Sequence, residues 1–178
     1  MTETLSRAPG PAALRIDDVR VPAVPEISVG ISEEPLDVTA VIASAAGPEC
    51  GGIGIFVGTV RTSAAAPERS DTPVVRLDYE AHPTLAEERL RAIASEAAGR
   101  WGLERVGSWH RAGSCDVGEP TVVVACGAEH RGDALDACRW IIDTIKTTVP
   151  IWKREVYADG SSWIGAEGVA GRPGGMPH

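Results

Sequence analysis

Residues 128–156, AEHRGDALDACRWIIDTIKTTVPIWKREV, carry an amphipathic pattern of apolar and polar positions around which we expect the rest of the chain to be built. Apolar side chains recur there at helical spacing and predict one buried helix face: Ala134, Ala137, Cys138, Ile141 and Ile145. We expect Asp133 to cap this helix, and Pro150 to end it because the residue before a proline is pushed out of the α conformation. The following IWKREVY predicts a strand. Basic residues stand at both ends of the segment, and we expect the helix and strand to fold back and bring them together.

Two further helices are predicted upstream. Residues 32–46 begin with Ser32 as the expected cap and carry acidic residues in the first turn. In residues 82–102 the pair Thr84 and Glu87 has the spacing of a capping box, and a glycine closes the segment.

The remaining apolar segments predict strands. They comprise an edge strand at 26–29, a buried strand at 51–61, a half-exposed strand at 74–80, and strands at 105–113, 120–128 and 159–165. In the half-exposed strand, Val75, Leu77 and Tyr79 share one face. The order β-α-β-β-α-β-β-α-β-β predicts an α+β fold, a two-layer α/β sandwich with a largely antiparallel sheet resembling the α/β hammerhead.

Composition places this fold in a single domain. We expect a domain over residues 26–165, a flexible arm at 1–25, a mobile loop at 62–73 and a flexible tail at 166–178. Seventeen basic against 25 acidic residues give a net charge of -8, which argues against a nucleic-acid partner. No apolar run approaches the roughly 20 residues that span a bilayer, and the N-terminal segment lacks a signal-peptide core. A cytoplasmic enzyme or binding protein is therefore expected.

The sequence indicates no metal and no cofactor. No two of its four cysteines stand two residues apart, and no set of His, Asp and Glu has metal-ligand spacing. Cys126 lies in an apolar strand and Cys138 on the apolar helix face, so both are expected to be reduced and buried.

Basic side chains at the ends of apolar segments predict an anion site. Arg61, His130 and Arg131 follow strands, and arginine suits phosphate. Lys146 and Lys153 can also move protons. Each has a structural alternative, since a lysine favours a helix C-terminus and alternating strand positions are often solvated. For His82, His110 and Arg111 the structural alternative is favoured. The residues alone indicate a small α+β protein with an anion site containing one or two lysines.

Several segments together resemble a known family over residues 26–165. They are FVGTVR (56–61), LDYEAHPTLAEERL (77–90), HRAG (110–113), EHRGDALDACRWIIDTIK (129–146) and PIWKRE (150–155). These segments, in this order, are similar to the large, catalytic subunit of molybdopterin synthase.

The resemblance implies a sulfurtransferase of molybdenum cofactor biosynthesis that converts cyclic pyranopterin monophosphate to molybdopterin. The sulfur donor would be the C-terminal Gly-Gly thiocarboxylate of a small ubiquitin-like partner subunit. Two copies of the large subunit and two small subunits would form a heterotetramer. By position, Lys146 matches the reactive lysine and Lys153 the second functional lysine. Residues of the pterin phosphate pocket are matched by Arg61, His130 and Arg131, with Phe56 packing beside them.

The chain departs from the family at a few positions. Thr59 stands where many members have a basic residue. In the family a basic residue of the C-terminal stretch can reach the neighbouring subunit's pocket, but this chain has Glu167 near the matching position, and Arg172 is a candidate to fill that role. Two alternatives to the enzyme remain. One is a non-catalytic binding subunit of the same complex. The other is an enzyme that forms a lysine Schiff base with a phosphorylated small molecule.

Overall fold

The helices and strands follow from a computed structural model, which describes residues 24–63 and 71–165. Along the chain they are β1 Glu26–Ser32, α1 Val38–Ser44, β2 Gly52–Thr59, β3 Val74–Ala81, α2 Pro83–Trp101, β4 Arg105–Arg111, β5 Gly113–Asp116, β6 Pro120–Ala128, α3 Arg131–Thr148, β7 Ile151–Tyr157 and β8 Ser162–Gly165. Apart from residues 24 and 25, the predicted arm lies outside the described residues. So do the tail, with Glu167 and Arg172, and residues 64–70 of the predicted loop.

The strands form two four-stranded sheets where one was expected. The first has the order β1-β4-β6-β2 and the second the order β5-β3-β7-β8. Only β1 and β4 run parallel among the described pairs. The α+β class and the largely antiparallel pairing are confirmed. The connection after β4 also forms a strand that was not predicted, β5, which pairs with β3 in the second sheet.

The core lies between the first sheet and the helices α2 and α3. These helices contact each other through Trp101 and Trp140, whose rings are 5.5 Å apart. Cys126 on β6 and Cys138 on α3 are buried and free, as predicted. The hydrogen bond with Cys138, together with burial, raises the pKa of the Cys126 thiol, so this cysteine stays a protonated core residue.

The short helix α1 covers part of the opposite face of the first sheet, where Val41 and Ala45 pack on Val123 and Ala125. Its predicted start was wrong. Asp37 caps the helix by accepting from the Ala40 amide at 2.9 Å.

The other two helices also begin with a different capping residue than expected. At α2 the cap is His82, whose side chain accepts from the Leu85 amide at 3.4 Å, while Thr84 already lies inside the first turn. At α3 the cap position is His130, and Asp133 lies in the first turn, where its charge still suits the helix dipole. The predicted end of α2 is confirmed, because Gly102 has a left-handed φ of 61°.

Two strand predictions need correction. The strand predicted as buried is β2, which lies at a sheet edge and leaves Ile55 44% exposed and Val57 37% exposed. In β3, Leu77 and Tyr79 are buried but Val75 is 44% exposed. A shift of register between Val74 and Arg76 turns Val75 away from the face it was expected to share.

The backbone of α3 comes close to the first sheet at Gly54 of β2. A methyl group there would clash with the Ala134 carbonyl oxygen, and it would lie 2.6 Å from that carbonyl carbon and 2.9 Å from the Leu135 nitrogen. The absence of a side chain at Gly54 therefore lets the α3 backbone rest directly on β2.

Candidate active site between the two sheets

A cavity of about 350 Å³ opens where the two sheets meet the C-terminal half of α3. Its wall is formed by β2 and the residues after it, by β3, β4, β6 and β7, and by α3. The side chains with polar or charged groups in that wall are Thr59, Arg61, Ser63, Tyr79, His110, Thr121, Lys146, Lys153 and Glu155. The apolar part includes Phe56, Leu77, Val122, Ile142 and Ile145.

Both lysines of the chain line this cavity. Seventeen residues are lysine or arginine, and only Lys146 and Lys153 are lysines. Lysine differs from arginine in that it can lose its proton when its surroundings favour the neutral amine. The chain therefore places in one cavity every side-chain amine that it has.

The two lysines reach the cavity from consecutive elements. Lys146 lies in the last turn of α3 and is exposed, whereas the side chain of Lys153 on β7 is only 12% exposed. Only two residues, Val149 and Pro150, separate the end of α3 from the start of β7. The structural alternative for Lys153, a solvated strand face, does not hold, since its side chain faces inward and lines the cavity.

A chain of polar contacts runs along the inward face of β7. The Lys153 Nζ lies 3.7 Å from Glu155 Oε1, and the Tyr157 hydroxyl donates to Glu155 Oε2 at 2.9 Å. Glu155 is 3% exposed and Tyr157 1% exposed. The three side chains share one face because strand residues alternate. A buried carboxylate with two such partners holds the ammonium group in a fixed place.

The structure brings together four of the six residues that the sequence predicted for the site: Phe56, Arg61, Lys146 and Lys153. His130 and Arg131 do not line the cavity of their own chain. They lie at the other end of α3, about 22 Å along the helix axis from Lys146 at 1.5 Å per residue. The expectation that the two basic ends would fold together was therefore wrong within one chain, because a straight helix holds them apart.

Sequence reasoning assigned no site role to six further polar side chains of the wall: Thr59, Ser63, Tyr79, His110, Thr121 and Glu155. Tyr79 and Lys153 are direct partners across the β3–β7 pair, as are Leu77 and Glu155. A signal was available for Glu155, since its position two residues after Lys153 places both on one face of a strand. The alternation along β4 gives no such signal for His110, whose ring contacts Tyr79 of the other sheet.

The charge of the cavity suits an anion. Arg61, Lys146 and Lys153 are cationic and Glu155 is anionic, so these four groups leave an excess of positive charge in a chain that is acidic as a whole. Nothing in the described ranges groups three or more His, Cys, Asp or Glu side chains as a metal site would. Within the same ranges, no helix is long and apolar enough to cross a membrane.

Comparison with known proteins decides the family. The model of the MoaE protein family matches residues 31–148. The chain belongs to the MoaE protein family. The resemblance found in the sequence is thereby confirmed.

The relatives within the family share most of their length with this chain. The molybdopterin synthase catalytic subunit 1 of Mycobacterium tuberculosis is 39% identical over 135 residues, which cover 76% of this chain and 88% of that protein. The catalytic subunit from Homo sapiens is 35% identical over 137 residues, 77% of this chain and 70% of that protein. The crystal structure of molybdopterin synthase from Staphylococcus aureus superposes with a TM-score of 0.70 at 28% identity, covering 77% of this chain and 96% of the other.

Proposed function

We propose that this member of the MoaE family is the catalytic subunit of a molybdopterin synthase. It transfers sulfur from the C-terminal thiocarboxylate of a small ubiquitin-like carrier to cyclic pyranopterin monophosphate, a step of molybdenum cofactor biosynthesis. The observation that carries this proposal is the meeting of Lys146 and Lys153 in one cavity. A non-catalytic subunit would have no need to confine its two lysines to a single site.

The cavity offers separate places for the two anionic partners of such a reaction. Lys146 is the more exposed lysine and is placed to meet the anionic tail of a carrier arriving from solvent. Its ammonium group can hold the thiocarboxylate and give a proton as charge develops. Lys153 is held inside by Glu155 and is placed to orient the pterin or to exchange a proton with it. Arg61 supplies a fixed charge for the phosphate, and Phe56 supplies an apolar wall.

His130 and Arg131 fit the proposal only if the protein acts as a dimer. Their distance from Lys146 prevents them from serving the cavity of their own chain, so as ligands of the pterin phosphate they would have to serve the cavity of a second copy. We therefore propose a homodimer, with one small carrier subunit bound to each copy. The proposed catalytic domain comprises residues 26–165, and its proposed location is the cytoplasm.

A single-turnover assay tests the function. The protein is mixed with thiocarboxylated carrier and cyclic pyranopterin monophosphate, and the dithiolene product is followed as its oxidised fluorescent derivative. We expect product from the native chain and none from Lys146→Ala, with carrier affinity nearly unchanged. The matched control is Arg139→Ala, which removes an 85%-exposed cation from the same helix and should leave the rate unchanged. A Lys146→Ala variant that fails to bind carrier would make Lys146 a docking residue, and a native chain without product would refute the function.

Mixing two inactive variants tests the dimer. Lys146→Ala and Arg131→Ala damage different sites if Arg131 serves the partner's cavity. A mixed dimer then contains one intact cavity, and we expect activity to return on mixing. Activity that stays absent in a demonstrated mixed dimer would place both residues in one site and refute this role of Arg131.

A further inference from the structure

Tyr157, the last residue of β7, is a buried polar side chain that lies outside the cavity wall. It belongs to the hydrophobic core, and the wall ends two residues before it, at Glu155. Its backbone is held on both sides, because its amide donates to the Ser161 carbonyl at 3.0 Å and its carbonyl accepts from the Gly160 amide at 3.0 Å. The rigid, buried ring therefore places the phenol hydroxyl at a fixed point.

That hydroxyl contacts the carboxylate that faces the inner lysine. It donates to Glu155 Oε2 at 2.9 Å, while Glu155 Oε1 lies 3.7 Å from the Lys153 Nζ. The torsion that turns a glutamate carboxylate has a broad energy minimum, so the side chain alone does not choose the direction of its oxygens. A hydrogen bond to one oxygen makes that choice and keeps the other oxygen directed at the lysine.

Burial gives this hydrogen bond its importance. Glu155 is almost fully buried, and it is the one acidic side chain in the described part of the cavity wall. In a site shielded from water, solvent does not replace a lost charge-assisted hydrogen bond. Removing the Tyr157 hydroxyl would allow the carboxylate to turn, and the ammonium group that it attracts would move with it.

We propose that Tyr157 is a positioning residue of the sulfur-transfer reaction, an inference that rests on the proposed function. Its hydroxyl orients the Glu155 carboxylate, and the carboxylate sets the place of the Lys153 ammonium group in the cavity. Lysine has a flexible stem and needs such a partner to stay in one place. Lys146 is carried by α3, so the effect is confined to one of the two lysines.

The variant Tyr157→Phe tests the inference, because it removes one oxygen atom and keeps the ring in the core. A hydrogen bond to a charged group corresponds to a factor of about 10–100, so we expect the single-turnover rate at saturating pterin to fall by that factor. In a Glu155→Gln background the same substitution should cost less than about threefold, because the link to the lysine is already broken. A loss through the fold alone would be the same in both backgrounds.

The control is Ser108→Ala, which also removes one buried hydroxyl, from β4, where that oxygen has no hydrogen-bond partner in the described part of the chain. This variant should keep the native rate. The inference is overturned if Tyr157→Phe keeps its rate within about threefold, loses the same factor in both backgrounds, or is matched in its loss by Ser108→Ala. A native chain that forms no product overturns the proposed function instead.

NMR relaxation of the lysine side chains measures the positioning without substrate. The chain has two lysines, so labelled lysine gives two sets of signals, which Lys146→Ala assigns. In the native protein we expect a higher order parameter at the Lys153 ε-methylene group than at that of Lys146, and Tyr157→Phe should lower the Lys153 value alone. The inference is overturned if native Lys153 is as mobile as Lys146, or if its order parameter is unchanged in the variant.

Discussion

Replacing Gly54 by alanine should separate α3 from the first sheet and thereby disturb the active site. Gly54 lies where the helix backbone rests on β2, far from both lysines along the chain. The added methyl group would be 2.6 Å from the Ala134 carbonyl carbon and 2.9 Å from the Leu135 nitrogen, where ordinary contacts begin at 3.4 Å. The atoms in the way belong to a helix backbone, so no side chain can rotate to make room. The helix as a whole must move by roughly 0.5–1 Å to restore normal contacts.

The expected magnitudes follow from that displacement. Overpacking of a close-packed interior costs about 1–3 kcal/mol of the free energy of unfolding. Lys146 is carried by the same helix, and a misplacement of about 1 Å at a reacting group can lower a rate by about 100-fold. Gly54→Ala should therefore be measurably less stable than the native chain and should lose far more of its activity than its stability explains.

Urea unfolding and the single-turnover assay measure the two effects on one preparation. The matched control is Gly99→Ala in α2, where an added methyl group meets nothing within 4 Å. An alanine in a helix is favoured over glycine by about 0.5–1 kcal/mol, so this control should gain stability and keep its rate. If Gly54→Ala keeps both the native free energy of unfolding and the native rate, the helix does not rest on the sheet in the way described.

Two further predictions concern stability alone. Ile141→Ala empties part of the core beneath α3, where Ile141 is fully buried, and should lower the free energy of unfolding by about 2–5 kcal/mol in urea titrations. Asp78→Asn should destabilise the protein in a pH-dependent way. Burial raises the pKa of the Asp78 carboxyl, but hydrogen bonds from Arg76, Ser114 and Arg154 outweigh it and lower the pKa below its usual value. Such a carboxylate stabilises the fold above its unfolded pKa of about 3.9, and the contribution disappears as the pH falls through the folded value. The difference between native and variant should be full near neutral pH and narrow in acid, and a difference independent of pH would contradict this assignment.

Local patterns in the sequence predicted the helices well but not their caps. The stripe that includes Ile141 repeats over several turns, and only one helix face satisfies it. A cap depends on one residue, and Thr84 lost that role to His82 because the helix begins at Pro83, one residue before the expected cap. Proline favours this position, since its missing amide hydrogen has no partner there anyway.

Sheet pairing and part of the polar wall of the cavity could not be predicted from local pattern. His110 occupies a strand position that resembles any half-buried polar residue, and its contact with Tyr79 joins two different sheets. The convergence of Lys146 and Lys153 was predictable, since a proline brings the strand back at the end of the helix. His130 lies far from the two lysines because α3 is long, and this separation can be predicted only when the length of the helix is taken into account.

The pairing of distant strands also sets the order in which the active site becomes available during synthesis. Arg105 of β4 binds Glu26 of β1 across 79 residues, and Arg154 of β7 binds Asp78 of β3 across 76 residues. Contacts over such distances form late, because a long segment must first be closed. A nascent chain on the ribosome can make α2 while β3 still waits for β7, the strand that carries Lys153. The cavity is therefore complete only after β7 has been synthesised and has paired with β3, because that strand carries both Lys153 and Glu155 of its wall.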